Sequence, residues 1–314
     1  MVYIGVDLGG TGIKAGVVDE QGNILAKDSC PTGVERGYAA VIEDIAGLCT
    51  RVASRAVHDM SEVKAIGIGL PGIYVPSTGR VPFCTNLGWH DVPLLAEMRK
   101  YTDLPVFADN DATVAGLAEA VAGVSKGCNV SIFVTLGTGV GGGIIMGGKA
   151  YSGPHGIASE IGHMITVAGG EQCTCGNKGC WERYASATAI IREGRRYAKL
   201  HPDCAILKAV DGDASKIEAR TVIDLAKQGD PASMEIFDQY VYHLCVGLVN
   251  LINLYDPEII ALGGGVSHAG QFLLDRVNAI LPGLVFYKTM PYAEVKLAAL
   301  GNDAGIIGAA MLGR

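Results

Sequence analysis

The chain has 314 residues, 49% hydrophobic and 18% charged, with a formal net charge of −7. Such a length suggests one or two domains and buries a core without disulfide staples. The hydrophobic share excludes a disordered chain, and the acidic balance gives no support to a general nucleic-acid binder. Glycine is the unusual residue: 44 are present, about twice ordinary usage, clustered and without the G-X-Y period of collagen.

In chain order, Tyr3–Val6 is a short apolar run, followed by Asp7-Leu8-Gly9-Gly10-Thr11, then Ile13–Val18 and Gly22-Asn23. This predicts strand, glycine turn, strand, turn and a third strand near Ile24–Lys27. Val41, Ile45, Leu48 and Val52 fall at helical spacing within 38–57. Val63–Leu70 reads as a buried strand ending at Pro71-Gly72, and 94–101 as a short helix. Val106–Ala108 is a strand feeding Asp109-Asn110-Asp111, with a helix over 112–122. The opening pattern then returns. VDLGGTGIKAGVV (Val6–Val18) aligns with VTLGTGVGGGIIM (Val134–Met146), an internal repeat that implies two related α/β halves. Residues 151–182 look irregular and carry most of the polar clusters. Helices follow over 184–200, 234–254, about 269–281 and 303–312, with a strand over 258–262 before Gly263-Gly264-Gly265. Alternating strands and helices indicate an α/β fold.

The opening MVYIGVDLGG has no basic segment ahead of an apolar one, so no secretion signal is expected. The uncharged run 127–148 is long enough to consider as a membrane span, but its eight glycines and its Thr, Asn and Ser residues argue against one. A reducing, cytoplasmic location is therefore expected.

A phosphate chain needs several backbone N–H donors aimed at one point, and glycine lets the backbone approach without a Cβ. Gly9-Gly10-Thr11-Gly12 and Gly137-Thr138-Gly139 suit this, each with a threonine hydroxyl, and Lys14 could add a cation. A plain tight hairpin is the alternative for each cluster. Neither fits the P-loop or the dinucleotide fingerprint, because β-type residues follow each turn. Asp7 could hold Mg²⁺ through water beside phosphate, or simply cap its turn. Asp109-Asn110-Asp111 offers either helix caps or a carboxylate base at a strand's C-terminal end, where open α/β sheets place ligands.

His163, Cys173, Cys175 and Cys180 are spaced H-x9-C-x-C-x4-C. Three thiolates and an imidazole make a closed tetrahedral zinc site of the structural kind. Glu160 and Glu182 flank it, and an ordered loop would fix both carboxylates; a solvated loop glutamate is the alternative.

The string His155-Gly156-x-x-x-Glu160-x-Gly162-His163, continued by Cys173-x-Cys175-Gly176-x-x-Gly179-Cys180-x-Glu182-x-x-x-Ser186, resembles the signature of the ROK family (repressors, open reading frames and sugar kinases). Asp7-x-Gly9-Gly10-Thr11 and Leu136–Gly143 are similar to its two phosphate loops. Gly69–Gly72, Asn86-Leu87, Asn110-Asp111 and Leu262–Val266 are similar to further family motifs, so the resemblance covers the chain. It implies an actin-like ATPase fold (ribonuclease H-like), with two α/β domains around a cleft. The expected division is 1–120, with helix 303–314 packed on it, and 121–302, with the zinc-binding loop 151–182.

The resemblance implies ATP-dependent phosphorylation of a hexose, with Asp111 as general base. Gly72, Asn86, Asn110, Asp111, Glu160, His163 and Glu182 would line the sugar site. Asp7, Gly9, Gly10, Thr11, Lys14, Gly137, Thr138, Gly139, Gly264 and Gly265 would serve ATP and Mg²⁺. His163, Cys173, Cys175 and Cys180 would hold a structural Zn²⁺. The zinc motif is most similar to that of the family's bacterial glucokinases, which implies glucose. Fructose, allose and N-acetylmannosamine are the alternatives. The family's repressors carry a helix-turn-helix domain ahead of the first loop; only six residues precede Asp7 here, which points away from them. A non-catalytic sugar sensor is a third reading. Partners would be hexose and ATP, with no nucleic acid and no membrane, in a homodimer or homotetramer. One departure stands out: family members commonly show Ala-Gly before the first glutamate, and here Ala158 is followed by Ser159.

Overall fold

Val2–Leu8 has four consecutive fully buried residues, so both of its faces are covered, as expected of a central strand in an α/β sheet. Val130–Leu136 repeats that burial pattern residue for residue. In the computed structural model, which describes residues 1–314, both strands are sheet centres.

In chain order the first half contains β1 (Val2–Leu8), β2 (Gly12–Asp19), β3 (Ile24–Pro31), α1 (Tyr38–Ala56), β4 (Val63–Leu70), β5 (Ile73–Val75), β6 (Arg80–Cys84), β7 (Trp89–Val92), α2 (Leu94–Met98), β8 (Val106–Asn110) and α3 (Asp111–Ala122). Then come β9 (Val130–Leu136), β10 (Val140–Met146), β11 (Lys149–Ala150), α4 (Glu182–Ala185), α5 (Ala187–Leu200), α6 (Ala205–Lys208), α7 (Ala219–Lys227), α8 (Pro231–Tyr255), β12 (Ile259–Gly263), α9 (Gln271–Leu284), β13 (Glu294–Leu297) and α10 (Ala304–Met311).

The first sheet has the order β3-β2-β1-β4-β8 and the second β11-β10-β9-β12-β13. These are the same arrangement, so the repeat seen in sequence is a repeat of topology. In the first sheet β1 pairs antiparallel with β2 and parallel with β4, and β4 pairs parallel with β8. A small third sheet, β5-β6-β7, has no counterpart in the repeat. No helix is long and apolar enough to cross a membrane.

The chain divides into two compact units. One comprises 1–133, 143–159 and 298–314; the other comprises 134–142 and 160–297. Residues 121–133 and 143–159 group with the first unit, where α3 contacts β11. Within the first unit α10 lies directly on the sheet. A Cβ on Gly5 would stand 1.9 Å from the Ile306 carbonyl, and one on Gly67 1.7 Å from that of Ala309. Backbone contact this close admits only glycine.

Glu119 of α3 is fully buried, yet its carboxylate is satisfied. Oε1 accepts from the Ala299 and Leu300 amides at 2.9 Å, and Oε2 from Val124 at 2.9 Å. It fastens the segment that leads into α10. In the second unit the helix expected over 184–200 is broken at Ser186, whose extended backbone and Oγ, accepting from the Ala189 amide, cap α5.

Candidate functional site

The first glycine turn joins β1 to β2. The Gly9 amide donates to the Gly12 carbonyl at 2.9 Å, closing a hairpin with Gly10 and Thr11 at its tip. Buried Thr32 fastens it: its Oγ1 donates to the Gly9 carbonyl at 2.6 Å. A Cβ on Gly10 would stand 3.0 Å from the Asn86 carbonyl, so the tip presses on the segment that carries Asn86. Lys14 Nζ stands 3.5 Å from Asp7 Oδ2, putting a cation and a carboxylate at the root of the hairpin.

At the end of β8, three polar residues have separate tasks. Asp109 is largely buried; burial pushes its carboxyl up, while hydrogen bonds from Ser152 Oγ and the Asn110 amide hold it down. Asn110 is the N-cap of α3. Its Oδ1 accepts from the Ala112 amide at 2.9 Å, and its Nδ2 reaches the Gly72 carbonyl at 3.4 Å. Asp111 is the first residue of α3 and is exposed, and the positive end of the helix favours its charge. The first unit thus gathers Asp7, Gly9, Gly10, Thr11 and Lys14 on one hairpin, and Asn110 and Asp111 beside Gly72.

The second glycine turn joins β9 to β10 and belongs to the other unit. The Gly137 amide donates to the Gly139 carbonyl at 3.0 Å. Thr188 Oγ1 donates to the Thr138 carbonyl at 2.6 Å, and the Ala187 amide to that of Gly137 at 2.8 Å. Glu182 leans against this hairpin: its Oε2 accepts from the Val140 amide at 3.1 Å, and a Cβ on Gly139 would stand 2.1 Å from that oxygen. Glu182 is therefore tied to the second phosphate-loop candidate, a link the sequence did not reveal. Gly264 has a φ of +82°, and a Cβ there would strike the Leu136 backbone at 2.6 Å. The next residue, Gly265, opens the short 3-10 turn Gly265–Ala269 and has nothing within 4 Å of where a Cβ would point. Space beside the backbone at Gly265 suits a ligand lying against the chain.

The donor atoms of His163, Cys173, Cys175 and Cys180 all lie within 4.8 Å of one another. Cys173 Sγ is 3.8 Å from His163 Nδ1, and Cys175 Sγ is 3.6 Å from Cys180 Sγ. Those separations are close to the edges of a tetrahedron with Zn–S bonds of about 2.3 Å. Burial and the neighbouring thiols push Cys180 up to about 12, whereas the Asn177 amide lowers Cys175. A dication resolves that crowding of thiols, so the residues fit the metal. Gly179, at φ +84°, turns the chain so tightly that a Cβ would meet the Val167 carbonyl at 1.7 Å. Immediately after Cys180, Trp181 is fully buried, and its Nε1 donates to the His243 carbonyl on α8 at 2.8 Å. Glu182 follows it. The four ligands, the tryptophan anchor and the Glu182 contact with the second hairpin are thus consecutive parts of one segment. Glu160 is exposed and precedes the 3-10 turn Ile161–His163; its carbonyl accepts from the His163 amide at 3.1 Å.

The ROK family model matches residues 3–314, and the chain belongs to the ROK family. It is 39% identical to the glucokinase of Streptomyces coelicolor over 314 residues, covering 99% of this chain and 97% of that protein. It is 37% identical to the glucokinase of Halalkalibacterium halodurans over 312 residues, covering 99% and 94%. Among solved structures, a ROK family glucokinase from Streptomyces griseus in complex with glucose and AMPPNP is 37% identical, with a TM-score of 0.81 and 99% of both chains covered. The fold is the actin-like ATPase fold of ROK sugar kinases, and the twice-repeated sheet order is its duplicated core.

Proposed function

We propose that this protein is an ATP-dependent glucokinase, transferring the γ-phosphoryl group of ATP to the 6-hydroxyl of glucose. Likeness over nearly the whole chain to glucokinases, one of them holding glucose and an ATP analogue, carries the reading.

A sugar hydroxyl is a weak nucleophile at neutral pH. Asp111, exposed at the start of α3, accepts its proton as the O–P bond forms. Phosphoryl transfer has a loose transition state, so the remaining residues position groups and neutralise charge. Asn110, Gly72, Asn86 and Glu160 contact sugar hydroxyls. Glu182, with Oε2 held by Val140, offers Oε1 to another. His163 turns Nδ1 toward the thiols, leaving Nε2 for the sugar. Gly10, Thr11, Thr138 and Gly139 donate to the phosphates, Gly9 and Gly137 close the turns that aim them, Lys14 adds a positive charge, and Gly264 and Gly265 border the adenosine. Mg²⁺ near Asp7 would supply further charge neutralisation on the phosphates. A structural Zn²⁺ on His163, Cys173, Cys175 and Cys180 keeps the segment around Glu160 and Glu182 in shape. The enzyme works in the cytoplasm as a homodimer or homotetramer.

The test is ADP release from Mg-ATP with glucose, mannose, fructose, allose, N-acetylglucosamine and N-acetylmannosamine. The highest kcat/KM is expected for glucose. Preference for another hexose would move the substrate and keep the chemistry, and no turnover with any of them would overturn the reading.

A further inference from the structure

We propose that Ser152 and Ser159 are positioning residues that together set the direction of Glu160. The inference rests on the reading of Glu160 as a sugar contact and adds what holds it in place. Glu160 is exposed, so its direction is governed by the backbone on either side. On the C-terminal side, its carbonyl is bonded to the His163 amide. On the N-terminal side lies the loop 151–159, closed by two serine hydroxyls.

Ser159 has a φ of +77°, a left-handed conformation costly for a residue with a Cβ. Its side chain compensates: Oγ accepts from the Ile144 amide of β10 at 3.3 Å and donates to the Tyr151 carbonyl at 3.2 Å. The loop's far end is secured as well. Ser152 Oγ donates to Asp109 Oδ2, and the Ser152 carbonyl accepts from the Ala158 amide at 3.0 Å. Asp109 is the penultimate residue of β8, two positions before Asp111. One carboxylate therefore anchors both the strand that delivers the base and the loop that delivers Glu160. Glycine at position 159 would adopt the same backbone without strain but could not bridge Ile144 to Tyr151. The hydroxyl is what this chain gains from a strained residue there.

The test compares glucose KM, ATP KM, kcat, zinc content and Tm for wild type, Ser152→Ala, Ser152→Thr, Ser159→Ala and Ser159→Gly. Ser152→Ala and Ser159→Ala should each raise glucose KM about tenfold, the scale of one or two lost hydrogen bonds, with ATP KM and zinc content unchanged. Ser152→Thr keeps the hydroxyl and should stay within about twofold of wild type. Ser159→Gly separates strain from positioning: it should melt no lower than wild type yet show the raised glucose KM. It also keeps the test readable should Ser159→Ala fail to fold. Unchanged glucose KM in Ser152→Ala and Ser159→Gly, or a parallel rise in ATP KM, overturns the proposal while leaving the glucokinase reading intact. A wild-type protein inactive on every hexose overturns both.

Discussion

The two glycine hairpins share a backbone and differ in what surrounds it. Each is a three-residue connection between antiparallel arms at the centre of a five-stranded sheet, and each has a threonine hydroxyl 2.6 Å from a turn carbonyl. The threonines come from unrelated places: Thr32 follows β3, and Thr188 lies in α5. The charges differ more. The first hairpin carries its own carboxylate and cation, Asp7 and Lys14, where the aligned positions of the second are Thr135 and Gly142. The second takes its carboxylate from outside, through Glu182 of the cysteine-rich segment. Duplication thus preserved the turn, while the threonine anchor and the electrostatics were supplied separately to each copy. One copy carries its own charges and the other takes its carboxylate from the segment that holds the His163, Cys173, Cys175 and Cys180 cluster.

The largest expected effect marks the limit of that comparison, since the proposed base, Asp111, lies on neither hairpin. Asp111→Ala should lower kcat by about 10²–10⁴-fold. Glucose binding, followed by calorimetry, should stay near wild type; a kcat close to normal would remove Asp111 from the role. Cys175→Ser comes next and tests the dependence directly. Zinc by elemental analysis should be lost and Tm should fall by roughly 5–10 °C, a few kcal/mol for a chain of this size. Amide exchange should then quicken at 137–140 and not at 9–12. Equal quickening in both hairpins would show that the first depends on the metal segment too.

Gly139→Ala forces Glu182 off the Val140 amide and should raise the KM of both substrates about tenfold, the cost of one displaced charged hydrogen bond. Gly265→Ala is its control. It meets no protein atom, so stability should hold within about 0.5 kcal/mol while ATP KM rises. An unchanged ATP KM would place the nucleotide elsewhere. The smallest effect is the paired one: Thr32→Val and Thr188→Val should each cost about 1 kcal/mol by denaturant titration. A large difference between them would show that the shared 2.6 Å geometry is not shared energetics.

Much of this was legible in the sequence because its signals were local. The strand-turn-strand repeat, the buried strand over Val63–Leu70 and the cluster of His163, Cys173, Cys175 and Cys180 depend on spacing alone, and the structure has each of them. Other features depended on distant partners. The sheet β5-β6-β7 escaped notice because Arg80–Cys84 contains a proline and no clean alternation, and its strands are only three to five residues long. Helix α7 starts with a capping box in reversed order, Glu218 at the cap and Thr221 three residues on, which hides the usual serine-to-glutamate signal. Ser159 was conspicuous as a departure from the family pattern, but its left-handed backbone and two bonds could not be read from its letter. Glu119 did carry a signal, the one acid beyond the first turn of an otherwise apolar helix; two of the amides that satisfy it lie about 180 residues away.

Helix α10 has a consequence for biosynthesis. It covers β1 and β4, among the first strands made, yet 303 residues precede it. As the chain emerges from the ribosome, the first sheet therefore stays uncovered on that face until residues 304–311 have been made. Contacts spanning that much sequence slow the final step and leave apolar strands exposed to other nascent chains meanwhile. The glycines at 5 and 67 sharpen the demand, because the late helix must seat directly on bare backbone. Expression yield and chaperone dependence should therefore respond more to substitutions within 304–311 than their effect on the finished protein's stability would suggest.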